Sequence, residues 1–546
     1  MKHLFFSLLI SFCFFSCKSK PKEIAEKATE AQPFVWEAAN VYFMLTDRFR
    51  DGNEANNLNY NRTKKPATLR GFMGGDMAGI TQSIKEGYFD KLGVNAIWFS
   101  PVLEQIHDST DEGTGNTYAF HGYWTKDWTS FDANFGTEAD FKELVETAHQ
   151  HGIRILMDVV MNHTGPVTEK DLVWDDTWVR TEPGCSYQNY DTAVSCTLVK
   201  NLPDILTNSN ENVDLPTPLV EKWKAEGRYE TEMKELDEFF KKTGLKRSPK
   251  NYIIKWLTDY VREYGVDGYR VDTVKHVEES AWNTLNEQAQ IAFTEWKKAN
   301  PTAVLDDNAF YMLGELYGYS IDHKRFYDFG DKKVDYYANG FDNLINFQFK
   351  YDARQDYETI FSKYDSILHH DLKGKSVMNY ISSHDDGDPF DKTRTKPYES
   401  ATKLLLTPGI SQIYYGDETK RPLIIEDTEG DATLRSYMNW EYLAHGDVIS
   451  VLTHWQKLGQ FRKAHPAIGA GRHHMISQSP YVFSRTFNSD KVVVGLDLAK
   501  GNKEISVADI FKNDTTVTDH YSGKTATVIN GKVTVDSEFS IVLLHE

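Results

Sequence analysis

Gly268-Tyr269-Arg270-Val271-Asp272-Thr273-Val274-Lys275-His276 places an acid one residue beyond a short strand-like run. Just upstream, Ile254, Leu257 and Val261 recur at helical spacing, and Gly265 stops that helix. The alternation of strand and helix repeats outward in both directions. Strand-like runs occur at 41–45, 96–101, 154–160, 268–271, 311–314, 342–347, 376–381 and 410–415. Amphipathic helical patterns lie between them. Thr137 caps one whose Phe141, Leu144, Val145 and Ala148 follow the i, i+3, i+4, i+7 rule, with Gly152 after its end. Eight such β-then-α units predict an α/β fold, a (β/α)8 TIM barrel with its active site at the C-terminal ends of the strands.

Residues 34–163 and 251–470 are assigned to that barrel. The third unit is interrupted. Residues 164–250 carry little strand–helix periodicity, many Asp and Asn, and a close cysteine pair, and read as an inserted subdomain. After Gly471, short alternating runs at 481–487, 491–498, 503–507, 515–521, 532–535 and 539–544 predict an antiparallel β-domain over 471–546. At the other end, Lys2 and His3 precede an apolar run from Leu4 to Phe15 that is too short to span a bilayer. It closes on Phe14-Phe15-Ser16-Cys17, which resembles a bacterial lipobox. Residues 1–16 are therefore read as a lipoprotein-type signal peptide, Cys17 as the lipidation site, and 17–33 as a solvated tether. An exported protein held by lipid on the cell envelope is expected, with that anchor as its sole attachment to a membrane.

The chain has 546 residues, enough for two or three domains, and 40% apolar content, enough for a large core. A net charge of −19 argues against nucleic acid or an anionic membrane surface as partner. It suits a neutral substrate and bound cations. Aromatic residues make up 13% of the chain, so beyond core filling some are available as platforms for apolar ring faces. Of the 4 cysteines, Cys13 lies in the signal and Cys17 is the lipid site. Cys185 and Cys196 remain, and export makes a disulfide the natural reading.

Acidic residues stand at the ends of four consecutive or near-consecutive strands. They occur in Asp158-Val159-Val160-Met161-Asn162-His163, in the 268–276 stretch, in Gly314-Glu315, and in Ser382-Ser383-His384-Asp385. One acid at a strand end is usually a helix cap or a solvated loop residue. Four in order on one barrel converge on a common mouth, and paired carboxylates are what cleavage of a glycosidic bond requires.

With these motifs the chain resembles glycoside hydrolase family 13, the α-amylase family, over nearly all of its mature length. The segments Tyr415-Gly416-Asp417-Glu418 and 464–471 look most like periplasmic α-amylases of Gram-negative bacteria. The resemblance implies a domain inserted after strand three and a C-terminal β-sandwich. It also implies a retaining endo-hydrolase of α-1,4-glucosidic bonds in starch, glycogen or maltodextrins. Asp272 would be the nucleophile, Glu315 the acid/base with a pKa raised by the neighbouring carboxylates, and Asp385 the third carboxylate. Arg270 would orient Asp272. His163 and His384 would bond the sugar, and Tyr123 within His121-Gly122-Tyr123-Trp124 would stack on it, with His121 and Trp124 beside it. Lys275 and His276 would line the acceptor side.

Calcium follows from the same resemblance. Asn162, Asp204 and the His276 carbonyl would hold one ion, a set of hard oxygen ligands. Asp51, Asn53, Asn56, Asn57, the Gly74 carbonyl and Asp76 resemble a second calcium loop, found in cyclodextrin glucanotransferases. Ser383 and Ile205 depart from the commonest residues at their positions. Two other functions are weighed against hydrolysis. A glucanotransferase would use the same covalent intermediate with a sugar as acceptor. A glucan-binding lipoprotein would not need Asp272, Glu315 and Asp385 together.

Overall fold

A computed structural model describes residues 33–111 and 113–546. The signal peptide, Cys17 and nearly all of the tether therefore lie outside the described residues. Eight parallel strands close a barrel: β1 (Asn40–Met44), β2 (Ala96–Phe99), β3 (Arg154–Val159), β4 (Gly268–Val271), β5 (Tyr311–Gly314), β6 (Asn343–Asn346), β7 (Ser376–Tyr380) and β8 (Ile410–Tyr414). Each neighbours the next in chain order, and β8 returns to β1. Every residue of these strands is buried, as expected for a parallel sheet covered on both faces.

The helices that matter here are α1 (Met77–Lys85), α2 (Glu138–Gln150), α3 (Thr217–Ala225), α4 (Tyr229–Thr243), α5 (Pro249–Tyr264), α6 (Glu279–Ala299), α7 (Tyr357–His369), α8 (Pro397–Leu406) and α9 (Gly446–Ala464). Local chemistry sets their ends. Thr137 and Asp140 form a reciprocal capping box at α2. Pro249 opens α5, and Gly265 closes it at φ 74. A side chain at Gly265 would also collide with Trp296, with only 2.0 Å available to a Cβ.

The stretch between β3 and α5 departs from the sequence expectation, because it contains the two helices α3 and α4. Their apolar stripes are narrow: α4 buries only Leu236, Phe239 and Phe240 among charged neighbours. Such a stripe leaves a faint periodicity. Cys185 and Cys196 form a disulfide here, with Cα atoms 4.9 Å apart.

The C-terminal region holds strands β9 (Arg472–Gln478), β10 (Tyr481–Phe487), β11 (Asp490–Leu496), β12 (Gly501–Ser506), β13 (Thr516–Asp519), β14 (Lys524–Thr527), β15 (Lys532–Ser537) and β16 (Val542–His545). Six of them form an antiparallel sheet in the order β9-β10-β11-β16-β13-β14, and β12 pairs with β15. Val493, Ile505, Val517, Val533 and Leu544 fill the space between these layers. The opposite face, with Phe483, Val494 and Leu543, joins the barrel's core. β9 and β14 were not expected from sequence. Both are sheet edges with mostly polar residues, so neither shows alternation.

Candidate active site

Register in the barrel places the acids. Val271 of β4 pairs with Gly314 of β5, so Asp272 and Glu315 emerge side by side from adjacent strands, which lie about 4.8 Å apart. Arg270 pairs with Asp158 of β3, and period 2 turns Arg270 and Asp272 to the same side. The Arg270 Nη1 donates to Asp272 Oδ1 at 2.7 Å and to Asp158 Oδ1 at 3.0 Å. Asp158 Oδ2 accepts from Trp98 Nε1 and from Tyr123 OH, each at 2.8 Å. A buried cation is thus held between two carboxylates, and the second oxygen of Asp158 is itself hydrogen-bonded, an arrangement that helps make a buried ion pair tolerable.

Glu315 Oε2 accepts from the Thr273 amide at 2.8 Å. Burial raises the Glu315 carboxyl above its ordinary value, and the Asp272 and Asp385 charges add to this against Arg270. The sequence pointed to neighbouring carboxylates as the cause. The structure ranks burial first. Burial also acts on Asp385, but His384, Arg270, Arg435 and the Ser383 hydroxyl together hold that carboxyl below its ordinary value. Ser383 donates to Asp385 Oδ1 at 3.0 Å, so the unusual residue here has a definite contact. One cleft thus holds a carboxyl kept protonated to higher pH and a carboxyl kept ionised, so the two are suited to different tasks.

The histidines sit among the carboxylates in neutral form. Burial pushes His384 down to about 4 and lowers His163 and His121 as well. His163 Nε2 donates to the Tyr123 carbonyl at 3.0 Å, and the Tyr123 amide donates to His121 Nδ1 at 3.0 Å. The Tyr123 ring stacks on His384 with centroids 5.4 Å apart. His163 and His121 therefore fix the turn that presents Tyr123. Trp124 behaves differently from the sequence expectation. It is 5% exposed and packs with Ile106, Ala119 and Leu202, so it fills a core rather than offering a sugar platform.

Lys275 lies at the cleft's other side, with Nζ 5.5 Å and 5.0 Å from the ring centroids of Tyr187 and Tyr317, both exposed. The His276 imidazole turns away to donate to the Ala193 carbonyl at 2.8 Å, inside the disulfide loop. That contact ties the ring to the insert through one of its two nitrogens. Sequence reading passed over Trp98, Asp158 as the second partner of Arg270, and Arg435. An acid inside an otherwise apolar strand was a visible signal for Asp158. Arg435 gave none: it comes from the segment after β8, donates to the His384 carbonyl at 2.9 Å, and lines a cleft lobe of about 620 Å³ with Arg70, Asp111, His121 and Asp431.

Two oxygen clusters bear on a cation. The Asn162 side-chain amide oxygen faces Asp204 Oδ1 at 3.1 Å and the His276 carbonyl at 2.9 Å, so three acceptors converge unless the amide turns over to donate. Burial pushes the Asp204 carboxyl up to about 8 despite Arg180. In the second cluster, Asn57 donates to Asp51 at 2.7 Å and Asn56 to Asp76 at 3.0 Å. Their own amide oxygens are buried without a partner. A Cβ at Gly74 (φ +93) would come within 2.8 Å of Asn57 Oδ1 and Asp51 Oδ2, so only glycine leaves that cradle open. Asn53 is tied to the same loop, its amide donating to Asp51 Oδ1 at 3.1 Å and its side-chain oxygen accepting from the Ala55 amide at 3.2 Å. Both donor sets are hard oxygens and fit calcium.

Residues 43–447 match the family described as alpha amylase, catalytic domain. The periplasmic alpha-amylase of Escherichia coli K12 is 37% identical over 531 aligned positions, covering 86% of this chain and 74% of that protein. A cyclomaltodextrin glucanotransferase of Thermoanaerobacterium thermosulfurigenes is 26% identical, and this chain spans 59% of its length. Among solved structures, an Anoxybacillus α-amylase superposes with a TM-score of 0.62 at 21% identity, covering 94% of this chain and 99% of that one. At that identity the likeness speaks to the fold.

Proposed function

The chain belongs to the α-amylase family of glycoside hydrolases, and on that footing we propose that it cleaves internal α-1,4-glucosidic bonds with retention at the anomeric carbon. The observation that carries the reading is the register pair that sets Asp272 beside Glu315 with Arg270 beneath them. The protonated Glu315 carboxyl gives its proton to the glycosidic oxygen as the Asp272 carboxylate attacks the anomeric carbon. The bond to the leaving glucan breaks, and a glucosyl ester forms on Asp272. Glu315, now a carboxylate, takes a proton from water, which attacks the same carbon and frees Asp272. Asp385 and His384 hold ring hydroxyls, and Tyr123 supports the sugar's apolar face. Proton NMR of fresh product from maltoheptaose tests this: the α-anomer of shorter maltodextrins is expected, and initial β-anomer overturns it. Longer or cyclic products would instead establish the glucanotransferase reading.

Glu315 must be protonated to start the reaction, so activity is carried below its raised pKa and falls as the pH rises through it. Asp385→Asn removes one of the charges that raise it. The basic limb of the residual kcat/KM profile should then move to lower pH. An unmoved limb would assign that ionisation to another group.

Calcium would be held by Asn162, Asp204 and the His276 carbonyl, and in a second place by Asp51, Asn53, Asn56, Asn57, Asp76 and the Gly74 carbonyl. The ion would neutralise buried acceptors and tie the insert to the barrel. Chelation should lower the melting temperature, since a ligand at a hundredfold over its Kd adds about 2.7 kcal/mol to the folded state. Asp204→Ala should abolish that response at the first site. A melting temperature indifferent to chelator and to added calcium would remove both sites.

The named E. coli relative supports export. Anchoring through lipid on Cys17 is part of the same reading, and Cys17→Ser should release the protein from membranes. Among the described residues no helix is long and apolar enough to cross a bilayer.

A further inference from the structure

Away from the cleft, four rings run across one groove between the barrel and the C-terminal β-domain. Tyr398 and His454 have centroids 5.2 Å apart, His454 and Tyr521 5.7 Å, and Tyr521 and Phe539 5.1 Å. The groove encloses about 660 Å³. Its floor is fixed. Tyr521 OH donates to His454 Nδ1 at 2.8 Å, Thr402 Oγ1 lies 3.0 Å from His454 Nε2, and Lys457 Nζ donates to the Tyr521 carbonyl at 2.6 Å. The two end rings stand open, with Tyr398 46% and Phe539 40% exposed. Asp497, Lys500 and Glu538 line the same groove and are exposed. Among the described residues none of these three has a side-chain hydrogen bond or ion pair within the protein.

The groove also has a definite place in the barrel. Asp356 and Tyr398, at the starts of α7 and α8, line it. Those helices follow β6 and β7, so Asp356 and Tyr398 lie toward the barrel end that carries Glu315 and Asp385, while Thr402, Lys403 and His454 line the groove further along α8 and α9. Tyr398, in the first turn of α8, follows the β7–α8 connection that carries His384 and Asp385.

Exposed apolar rings beside uncommitted carboxylates and an ammonium of opposite sign suit a neutral, many-hydroxyl ligand. Hydroxyls donate to Asp497 and Glu538 and accept from Lys500, while sugar C–H faces cover Tyr398 and Phe539. A ligand of single charge would meet both signs. We propose that this groove is a second binding site for the α-1,4-glucan chain, separate from the catalytic cleft. The choice of ligand rests on the hydrolase reading above.

The test compares the parent enzyme with Tyr398→Ala/Phe539→Ala in two assays, adsorption to granular starch in the cold and hydrolysis of maltotriose. The double variant should adsorb about tenfold more weakly, a loss of one to two stacked rings, with kcat/KM on maltotriose unchanged. Unchanged adsorption overturns the proposal. If maltotriose turnover falls as well, the rings were needed for folding, and Asp497→Ala/Glu538→Ala decides the matter. That surface pair should weaken adsorption several-fold, and no loss overturns the site. A parent protein that adsorbs starch through these rings yet cleaves no maltodextrin would leave the groove standing and remove the hydrolase reading instead.

Discussion

Replacing Asp272 with Asn should lower kcat on maltoheptaose by several orders of magnitude while the protein stays folded. The amide occupies the carboxylate's volume and still offers Arg270 an oxygen at the 2.7 Å contact. What it lacks is a charged oxygen able to form the glucosyl ester. Arg270 keeps its second partner, Asp158, so the cation is not left unpaired in the barrel. The loss should therefore fall on turnover rather than on stability, and thermal melting beside the kinetics separates the two. Near-normal turnover would show that another group makes the bond.

Glu315→Gln should be as damaging on maltodextrins but not on every substrate. Glutamine keeps an oxygen to accept the Thr273 amide, so the side chain stays where the acid was. It has no proton to give to a departing sugar oxygen, whose expulsion is then rate-limiting. A glucosyl fluoride leaves without protonation. The variant should form the covalent intermediate from such a substrate at nearly the parental rate, although the second step still lacks its base. Burst-phase release of fluoride measures this directly. An equal loss on fluoride and maltodextrin would mean that Glu315 does not act as the acid.

Much of this was legible in the chain because it was written locally. The runs that became β1 to β8 were short stretches built around apolar residues between helical periods, and Gly152 and Gly265 marked where helices stop. Asp272, Glu315 and Asp385 stood at strand ends, so recognising the barrel was enough to bring them to one mouth. Other features were hidden. The narrow stripes of α3 and α4 and the polar edges β9 and β14 do not alternate strongly enough to be seen. Trp124 shares a motif with Tyr123, yet opposite sides of one turn send one ring toward His384 and the other into a core.

The sequence by itself determined the barrel, the order of the acids at its strand ends and the ends of helices such as α2 and α5, since each depends on periodicity, capping or a glycine within a few residues. Only the tertiary structure decided which groups share a burial environment. It put Trp98, Tyr123 and Asp158 around Arg270, made burial the leading cause of the raised Glu315, and turned the His276 ring to Ala193. It also joined Tyr398 to Phe539 in one groove. Desolvation, register and contact between distant segments depend on how strands and helices pack, and no local pattern encodes them.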